Sequence, residues 1–563
     1  MDDDGRLTVL ILGGYGTFGG RLAQLLAAEP RLTLQIAGRS ASKAQAYCRT
    51  LPPGATKEPL VFDRNGDLEA QIADARPDVL VDASGPFQAY GEDPYRLVRA
   101  CIAQGVSYLD LADGSAFVKG VARFDDAARR RGVAVLSGVS SFPVLTAAVV
   151  RALSRDLKQV ETIVGGIAPS PYAGVGLNVI RAIAGYAGKP VALVIDGQPA
   201  TGFALTNTVR HTIATPGRTP LRSTLFSLVD VPDLQVLPEL WPGLTSIWMG
   251  AGPVPEILHR MLIALAWLVR LRLLPSLEPF APVFHWASNT LRWGENRGGM
   301  FVTITGRSPE GRTVERTWSL LAEGEDGPMI PSMAAEAIIR RSLRGQSPSP
   351  GARAGAQELE LIDYEALFSG RDIHVGMRQT DRPGESRPLY SRVLGEAWMR
   401  LPQPVRALHD LKGSMTAVGV ADVERGKGPL ALLAAQLFRF PPAALQTPLT
   451  VHFKEQDGRE TWTRDFGGHC FSSVQRAGAG RLEGLLCERF GPLEVAMALV
   501  VDGLRLRLIV RSWRLFGVPM PLALAPSGEA YETAEDGQFR FNVELRHPWT
   551  GLIVRYRGWL ALH

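Results

Sequence analysis

The sequence predicts a multidomain α/β protein, in which an N-terminal Rossmann parallel sheet precedes a second α+β domain and a mostly antiparallel C-terminal β domain. Three observations carry the prediction. The chain has 563 residues, enough for roughly three or four ordinary cores. Up to about residue 150 it alternates β-branched apolar runs with segments of helical spacing, the pattern of a parallel sheet with crossover helices. From Leu449 onward it shows short strand-like runs punctuated by Gly, Pro and Asp.

Taken in order, Leu7 to Leu12 is an apolar strand that ends at a glycine cluster, and Gly20 to Ala28 continues with helical spacing at Leu22, Leu25 and Leu26. Strands follow at Leu32 to Ala37, Pro59 to Phe62 and Val79 to Ala83. A helix at Asp93 to Gln104, a strand at Ser107 to Asp110, a helix at Phe117 to Arg131 and a strand at Val133 to Leu136 complete the alternation. This block, 1–150, is the expected dinucleotide-binding domain.

Longer strand-like runs at Gln159 to Ala168 and Met300 to Ala322, with a Gly-rich helix entry and a Pro-dotted middle between them, predict a sheet-containing domain over 151–345. The small, polar, Pro/Gly-rich stretch Gln346 to Ala356 and the stretch Thr380 to Pro388 have linker chemistry, so 346–387 is expected to be a linker and return segment. The β-rich domain then occupies 388–563 as a strongly curved sheet, after helices at Leu389 to Leu401 and Pro429 to Phe438.

Composition excludes several classes. Hydrophobic residues at 46%, charged residues at 21% and a mean hydropathy of +0.03 are globular values, not those of a disordered or coiled-coil chain. The longest apolar run, Met261 to Val269, is too short to span a bilayer. The net charge of +5 is spread thinly and Arg129-Arg130-Arg131 is the only basic triplet, so no nucleic-acid partner is expected. The four cysteines are far apart and set no metal spacing, which predicts reduced thiols and no metal. An acidic start that runs straight into a strand lacks a secretory pattern, so a cytoplasmic location is expected.

The chemistry is carried by Gly14-Tyr15-Gly16-Thr17-Phe18-Gly19, a G-x-G-x-x-G turn with a strand before it and a helix after it. Gly14 permits the tight turn, Gly16 admits a pyrophosphate to the backbone, and Gly19 lets helix pack on strand while the helix N-terminus faces the anion. At the tip of the second strand, where a carboxylate would hold a ribose 2′-hydroxyl, stand Arg39 and Ser40. A guanidinium there suits a 2′-phosphate, so NADP is the expected cofactor, with a merely solvated Arg39 as the alternative. Asp63, after the third strand, suits either the adenine amino group or a helix N-cap. After the fourth strand, Ser84, Gly85 and Pro86 let the backbone pass beside the cofactor, and Phe87 is placed either to wall the nicotinamide or to fill the core.

These motifs, with Tyr90-Gly91, Ala100-Cys101 and Tyr108-Leu109-Asp110, resemble the NADP-binding domain of the saccharopine dehydrogenase-like family. Arg316-Thr317-Trp318 and Asp326 to Pro331 resemble that family's second domain. The chain beyond about Leu389, with Arg489-Phe490-Gly491-Pro492 and Tyr556-Arg557-Gly558-Trp559, resembles a domain of unknown function found behind such units. The resemblance implies hydride transfer, for which the proton-transfer candidates by position are Tyr108 and Asp110, then Asp113, His211 and His285.

Substrate and partners are set by weaker signals. Val254 to Leu274 combines an apolar stripe with Arg260, Arg270, Arg272 and Trp267, a composition shared by helices lying on a membrane face and by buried homodimer helices. Arg292 and Arg297, beside Trp286 and Trp293, form the one close arginine pair suited to an acidic substrate, and otherwise a hydrophobic, lipidic small molecule is expected. Three function classes follow: an NADP-dependent oxidoreductase, a dinucleotide sensor without turnover, and a carrier of lipid or other apolar ligand through the C-terminal domain.

Overall fold

The computed structural model describes residues 5–87, 90–380 and 387–563. The chain forms two compact units, Met1–Val209 with Leu225–His374, and Arg210–Thr224 with Val375–His563.

The first unit opens with the parallel sheet. Its strands β1 (Leu7–Leu12), β2 (Leu32–Gly38), β3 (Thr56–Val61), β4 (Val79–Asp82), β5 (Ser107–Asp110) and β6 (Ala134–Ser137) run in the order β6-β5-β4-β1-β2-β3. Val9, Leu10, Ile11, Leu34 and Ile36 are fully buried, as expected of central strands covered by helices on both faces. Helix α1 (Thr17–Leu26) buries Leu22, Leu25 and Leu26, the predicted helical spacing. Strand order reverses between β1 and β4, so their carboxyl ends open the crevice in which doubly wound sheets take ligands.

Three expectations are corrected here. The stretch Gln346 to Ala356 is not a linker: Gly351–Ala354 is a seventh strand, parallel to β6, and Ala352 N–H donates to the Asp125 carboxylate. Its small residues fit a strand tucked against helix ends, a use that composition alone reads as loop. The helix expected over Phe117 to Arg131 is two helices, Ser115–Gly120 and Asp125–Arg131, joined by a tight 3₁₀ turn. The third strand begins at Thr56, since an edge strand tolerates the exposed or half-exposed Lys57 and Glu58. The second linker-like stretch, Thr380 to Pro388, falls largely outside the described residues.

The same unit holds a mixed sheet whose central strands are Ser246–Ala251, Gln159–Ala168, Arg297–Arg307 and Thr313–Glu323. Ser246–Ala251 runs parallel to Gln159–Ala168, and the other neighbours pair antiparallel. Helix Glu256–Arg270 buries His259, Ala266 and Val269, and leaves Ile257, Met261 and Trp267 exposed. Among the described residues no helix is long and apolar enough to cross a membrane.

In the second unit ten antiparallel strands follow one another around a closed barrel, from Ser414–Arg425 to Gly551–Leu562, which pair and seal it. Closure of the ring is how the predicted curvature is realised. Side chains alternate in and out, so Glu460, Trp462, Arg464 and Phe466 of one strand are buried in the interior. Helices over Leu389 to His409 cover one end, where Arg392 donates to the Gly458 carbonyl in a strand turn. Helix Pro429–Leu437 lies in a connection at the other end.

Candidate functional site in the first unit

The glycine turn shows why each glycine is needed. Gly13, one residue ahead of the motif, takes the positive φ of 78° that makes the turn tight, the task expected of Gly14. A Cβ on Gly14 would stand 2.7 Å from the Ile11 carbonyl oxygen, and one on Gly19 only 2.3 Å from that of Gly13. Gly14 and Gly19 are therefore demanded by packing of helix on strand. A Cβ on Gly16 meets only the Gly13 oxygen, at 3.0 Å, and otherwise projects into open space. That is the side from which an anion would approach.

Gly16 N–H is used within the turn, donating to Gly13. The N–H groups of Thr17, Phe18 and Gly19 begin α1 and have no preceding helical carbonyls to bond, so they point outward as a donor cluster at the positive end of the helix. A pyrophosphate fits this cradle. The loop from Ala173 to Asn178 of the mixed-sheet domain lies over it. Arg21 donates to the Ala173 carbonyl at 2.9 Å, Gly176 packs against the Thr17 hydroxyl, and Asn178 Nδ2 donates to the Gly85 carbonyl at 3.1 Å.

At the β2 tip, Arg39 is exposed and engages no partner among the described residues. Ser40 caps helix α2 (Ala41–Cys48), its Oγ accepting from Lys43 N–H at 3.4 Å. The Tyr15 ring covers Gly38, and its hydroxyl accepts from Ser40 N–H at 3.1 Å. Arg39, Ser42 and Lys43 thus surround the start of a second helix, a setting for a further phosphate. Asp63 is exposed and closes a local turn on Asn65 N–H. It is not an N-cap: Asp67 caps the following helix, accepting from Ala70 N–H at 3.1 Å.

Beneath the β4 tip lies a charged cluster that sequence reasoning passed over. Asp82, fully buried, accepts from Ser84 N–H at 3.0 Å and Ser84 Oγ at 2.6 Å, from the Tyr108 hydroxyl at 3.4 Å, and from the Arg64 guanidinium. Arg64 in turn lies over the Tyr90 ring. Burial, with Asp82 close by, lifts the Tyr90 hydroxyl far above the ordinary tyrosine range. This cluster holds the turn from Ser84 to Pro86 in place. Phe87 is buried against Tyr90 and Phe117, at ring distances of 4.9 and 5.2 Å, so it fills the core.

Two family descriptions match the chain: residues 9–136 match the saccharopine dehydrogenase NADP binding domain, and residues 401–560 match a domain of unknown function, DUF4166. The glycine cradle and its strand order decide the matter for the first. Residues 9–136 have the strand order and glycine turn of a dinucleotide-binding domain, as that match describes. No curated protein matches the chain. Among solved structures, saccharopine dehydrogenase (L-Glu forming) from Saccharomyces cerevisiae is similar at 14% identity and a TM-score of 0.47, over 67% of this chain and 100% of its own. A dehydrogenase from Thermus thermophilus, solved with NAD and α-ketoglutarate, is similar at 12% identity and a TM-score of 0.28, over 61% of this chain and 90% of its own. At such scores neither likeness bears on substrate.

The proton-transfer candidates are spread out. Tyr108 is fully buried on the interior strand β5. Asp110 is also fully buried, accepting from Ala112 N–H, Gly138 N–H and Ser137 Oγ at 2.8–3.0 Å, and burial pushes its carboxyl up to about 7. Both hold the framework. His211 belongs to the second unit, where burial holds its imidazole down to about 4. His285 sits half-buried on helix Ala281–Thr290. Arg297 forks onto Glu295 and lies 3.9 Å from Glu323, whereas Arg292 bonds Asn289, so the expected arginine pair does not form a clamp.

Past the β5 tip, Ser115 meets a different group. Asp230 accepts from Ser115 Oγ at 2.6 Å, Ser115 accepts from Gln235, and burial raises the Asp230 carboxyl above its ordinary range. Tyr186, raised by burial and by the neighbouring Asp113 and Asp230, completes the set. None of these three had a sequence signal, because Asp230, Tyr186 and Asn178 sit in segments of no fixed spacing from the glycine turn.

Proposed function

We propose that the first unit is an NADP-dependent oxidoreductase acting on a hydrophobic small molecule. The single observation that carries the cofactor preference is Arg39, exposed and unpaired among the described residues, at a strand tip that offers no carboxylate to a ribose hydroxyl. When bound, the nicotinamide supplies or accepts a hydride. This chain's residues position it through the N–H groups at the start of α1, the Ser84 to Pro86 turn and Asn178. Asp230, with Tyr186 beside it, handles the accompanying proton, since burial raises its carboxyl above the ordinary aspartate range and so favours its protonated form.

A hydrophobic substrate is favoured because Arg297 is neutralised by Glu295, and because Trp286 and Trp293 are exposed beside the loop that covers the cradle. Asn289, between them, donates to the Val175 carbonyl of that loop. The test is a fluorescence titration with NADPH and NADH, followed by NADPH oxidation assays on apolar carbonyl compounds and on amino-acid imines. Arg39→Ala should weaken NADPH binding by about 10- to 150-fold, the equivalent of about 1.5–3 kcal/mol for a charge-assisted contact, with NADH unchanged. An unaltered ratio would remove the NADP assignment, and turnover of amino-acid imines alone would remove the hydrophobic substrate.

A further inference from the structure

The barrel of the second unit encloses a cavity of about 840 Å³. Protein interiors are close-packed, and voids much larger than a water molecule are rare, whereas ligand sites commonly measure about 300–1,000 Å³. The walls are apolar, formed by residues such as Phe440, Val451, Val495, Met497, Val510 and Phe539.

One end of this space is polar. Gln475 Nε2, Ser473 Oγ and Arg464 all donate to Glu488 Oε1, at 3.1, 2.7 and 3.4 Å. The Tyr390 hydroxyl donates to Gln475, and His409 pairs with Glu532 at 2.5 Å. Every one of these side chains is buried. A barrel interior that merely packed would be more cheaply filled by apolar residues, because burying charges costs desolvation even when they are paired. Tyr390 and His409 come from the helices that cover that end. The opposite end is fringed by Trp549, 70% exposed, and by helix Pro429–Leu437, which turns Ala434 inward and leaves Leu430, Leu433 and Leu437 exposed. Access is therefore from the apolar rim toward a polar floor.

The charges that line the cavity select the head group. Glu488, Glu529, Glu532 and Glu544 line it with Arg464 and Arg507, and of these Glu544 is paired with Arg546 and Arg555 and Arg507 with Asp502. Arg464 is already engaged by Ser473 and Glu488, and lies over the Trp462 and Phe471 rings. With Arg464 taken up by Glu488, a carboxylate head would meet the carboxylates of Glu488 and Glu532, whereas a hydroxyl could donate to them. We propose that the barrel binds a long, uncharged lipid with one hydrogen-bonding end, of the fatty-alcohol class, its head toward Glu488 and Glu532 and its chain toward the Trp549 rim. This site is separate from the dinucleotide reading and does not depend on it.

The experiment uses the full chain with Nile red as the fluorescent probe and hexadecanol or hexadecanoate as competitor. Hexadecanol should displace the probe at micromolar concentration, with hexadecanoate about tenfold weaker. Val510→Trp, which fills the cavity, should remove probe binding while circular dichroism and NADPH titration stay normal. A diazirine-bearing hexadecanol, mapped by mass spectrometry on the wild-type protein, should label the strands between Ala444 and Leu562. The proposal is overturned by an absence of displacement, by labelling confined to the exposed helices around Met261 and Trp286, or by Nile red binding that survives in a folded Val510→Trp. Tighter competition by hexadecanoate would overturn the head-group assignment.

Discussion

The glycine cradle and the barrel cavity are both candidate binding sites, and they are built from opposite materials. The cradle is made of backbone: its donors are the N–H groups at the start of α1, and side chains matter by being absent at Gly13, Gly14, Gly16 and Gly19. The cavity is made of side chains contributed by strands far apart in sequence, from Leu449 to Leu560. A backbone site constrains each position to one residue type at fixed spacing, and so leaves a mark in the sequence. A side-chain site constrains only shape and polarity, which many sequences satisfy. At about 840 Å³ the cavity is far larger than the voids of a close-packed interior. Such a cavity is a tolerance that a protein keeps for a use.

The comparison breaks most readily at the glycines, where the largest effects are expected. In Gly19→Val the new Cβ would stand 2.3 Å from the backbone oxygen of Gly13, which no rotamer change relieves. The turn should be disrupted, with loss of dinucleotide binding and a lower melting temperature together. Gly16→Val meets only one oxygen at 3.0 Å, so melting should shift little while NADPH binding disappears. Calorimetry and nucleotide titration on both variants separate packing from access. Normal NADPH binding by a folded Gly16→Val protein would show that the cradle is not where the dinucleotide lies.

How far the sequence reached follows the same division. The parallel sheet, the glycine turn and the Arg39 tip were legible, because alternating apolar runs mark buried strands and the turn has one solution. The strand Gly351–Ala354 was missed, since Gly-Ala-Arg-Ala carries no β-branched residue and its place is set by pairing with β6. Asp82 was passed over because its partners, Arg64, Tyr90 and Tyr108, converge only in the fold. In the barrel, Arg459–Phe466 alternates Glu460, Trp462, Arg464 and Phe466 with Thr461, Thr463 and Asp465, so polarity does not distinguish inside from outside. Curvature could be expected there, but closure and the polar floor depend on which strands meet.

A second test asks whether the first unit's buried charge is framework. Asp110 is raised from an ordinary aspartate value to about 7, chiefly by burial. Because its folded pKa lies above its unfolded one, the proton is held in the fold, and below about pH 4 both states are protonated and no difference arises. As pH rises from about 4 to about 7 the unfolded chain ionises first, so this group's contribution to stability is lost across that window, on the order of a few kcal/mol. Asp110→Asn keeps an oxygen for Ser137 and the two N–H groups, and should grow more stable relative to wild type over the same window. Urea denaturation at pH 4.5 and 7.5 measures it. A difference that is flat with pH would mean that Asp110 is ionised in the fold at both.

The smallest expected effect sharpens the comparison furthest, because it contrasts an enlargement to Phe in each of the two regions. Ile11 on β1 is fully buried between helices that cover the sheet. Ile11→Phe must displace close-packed neighbours, an overpacking that costs about 1–3 kcal/mol. Val510 lines the barrel cavity and is half-buried, so a phenyl ring in Val510→Phe has space to enter and gains contacts instead of losing them. Its effect on unfolding should be near zero or slightly stabilising, even as it takes room from a bound chain. Thermal melts of the two variants in lipid-free buffer, each against wild type, give the readout. If Val510→Phe destabilises as much as Ile11→Phe, the barrel interior is packed like the sheet core, and the contrast between the two regions is lost.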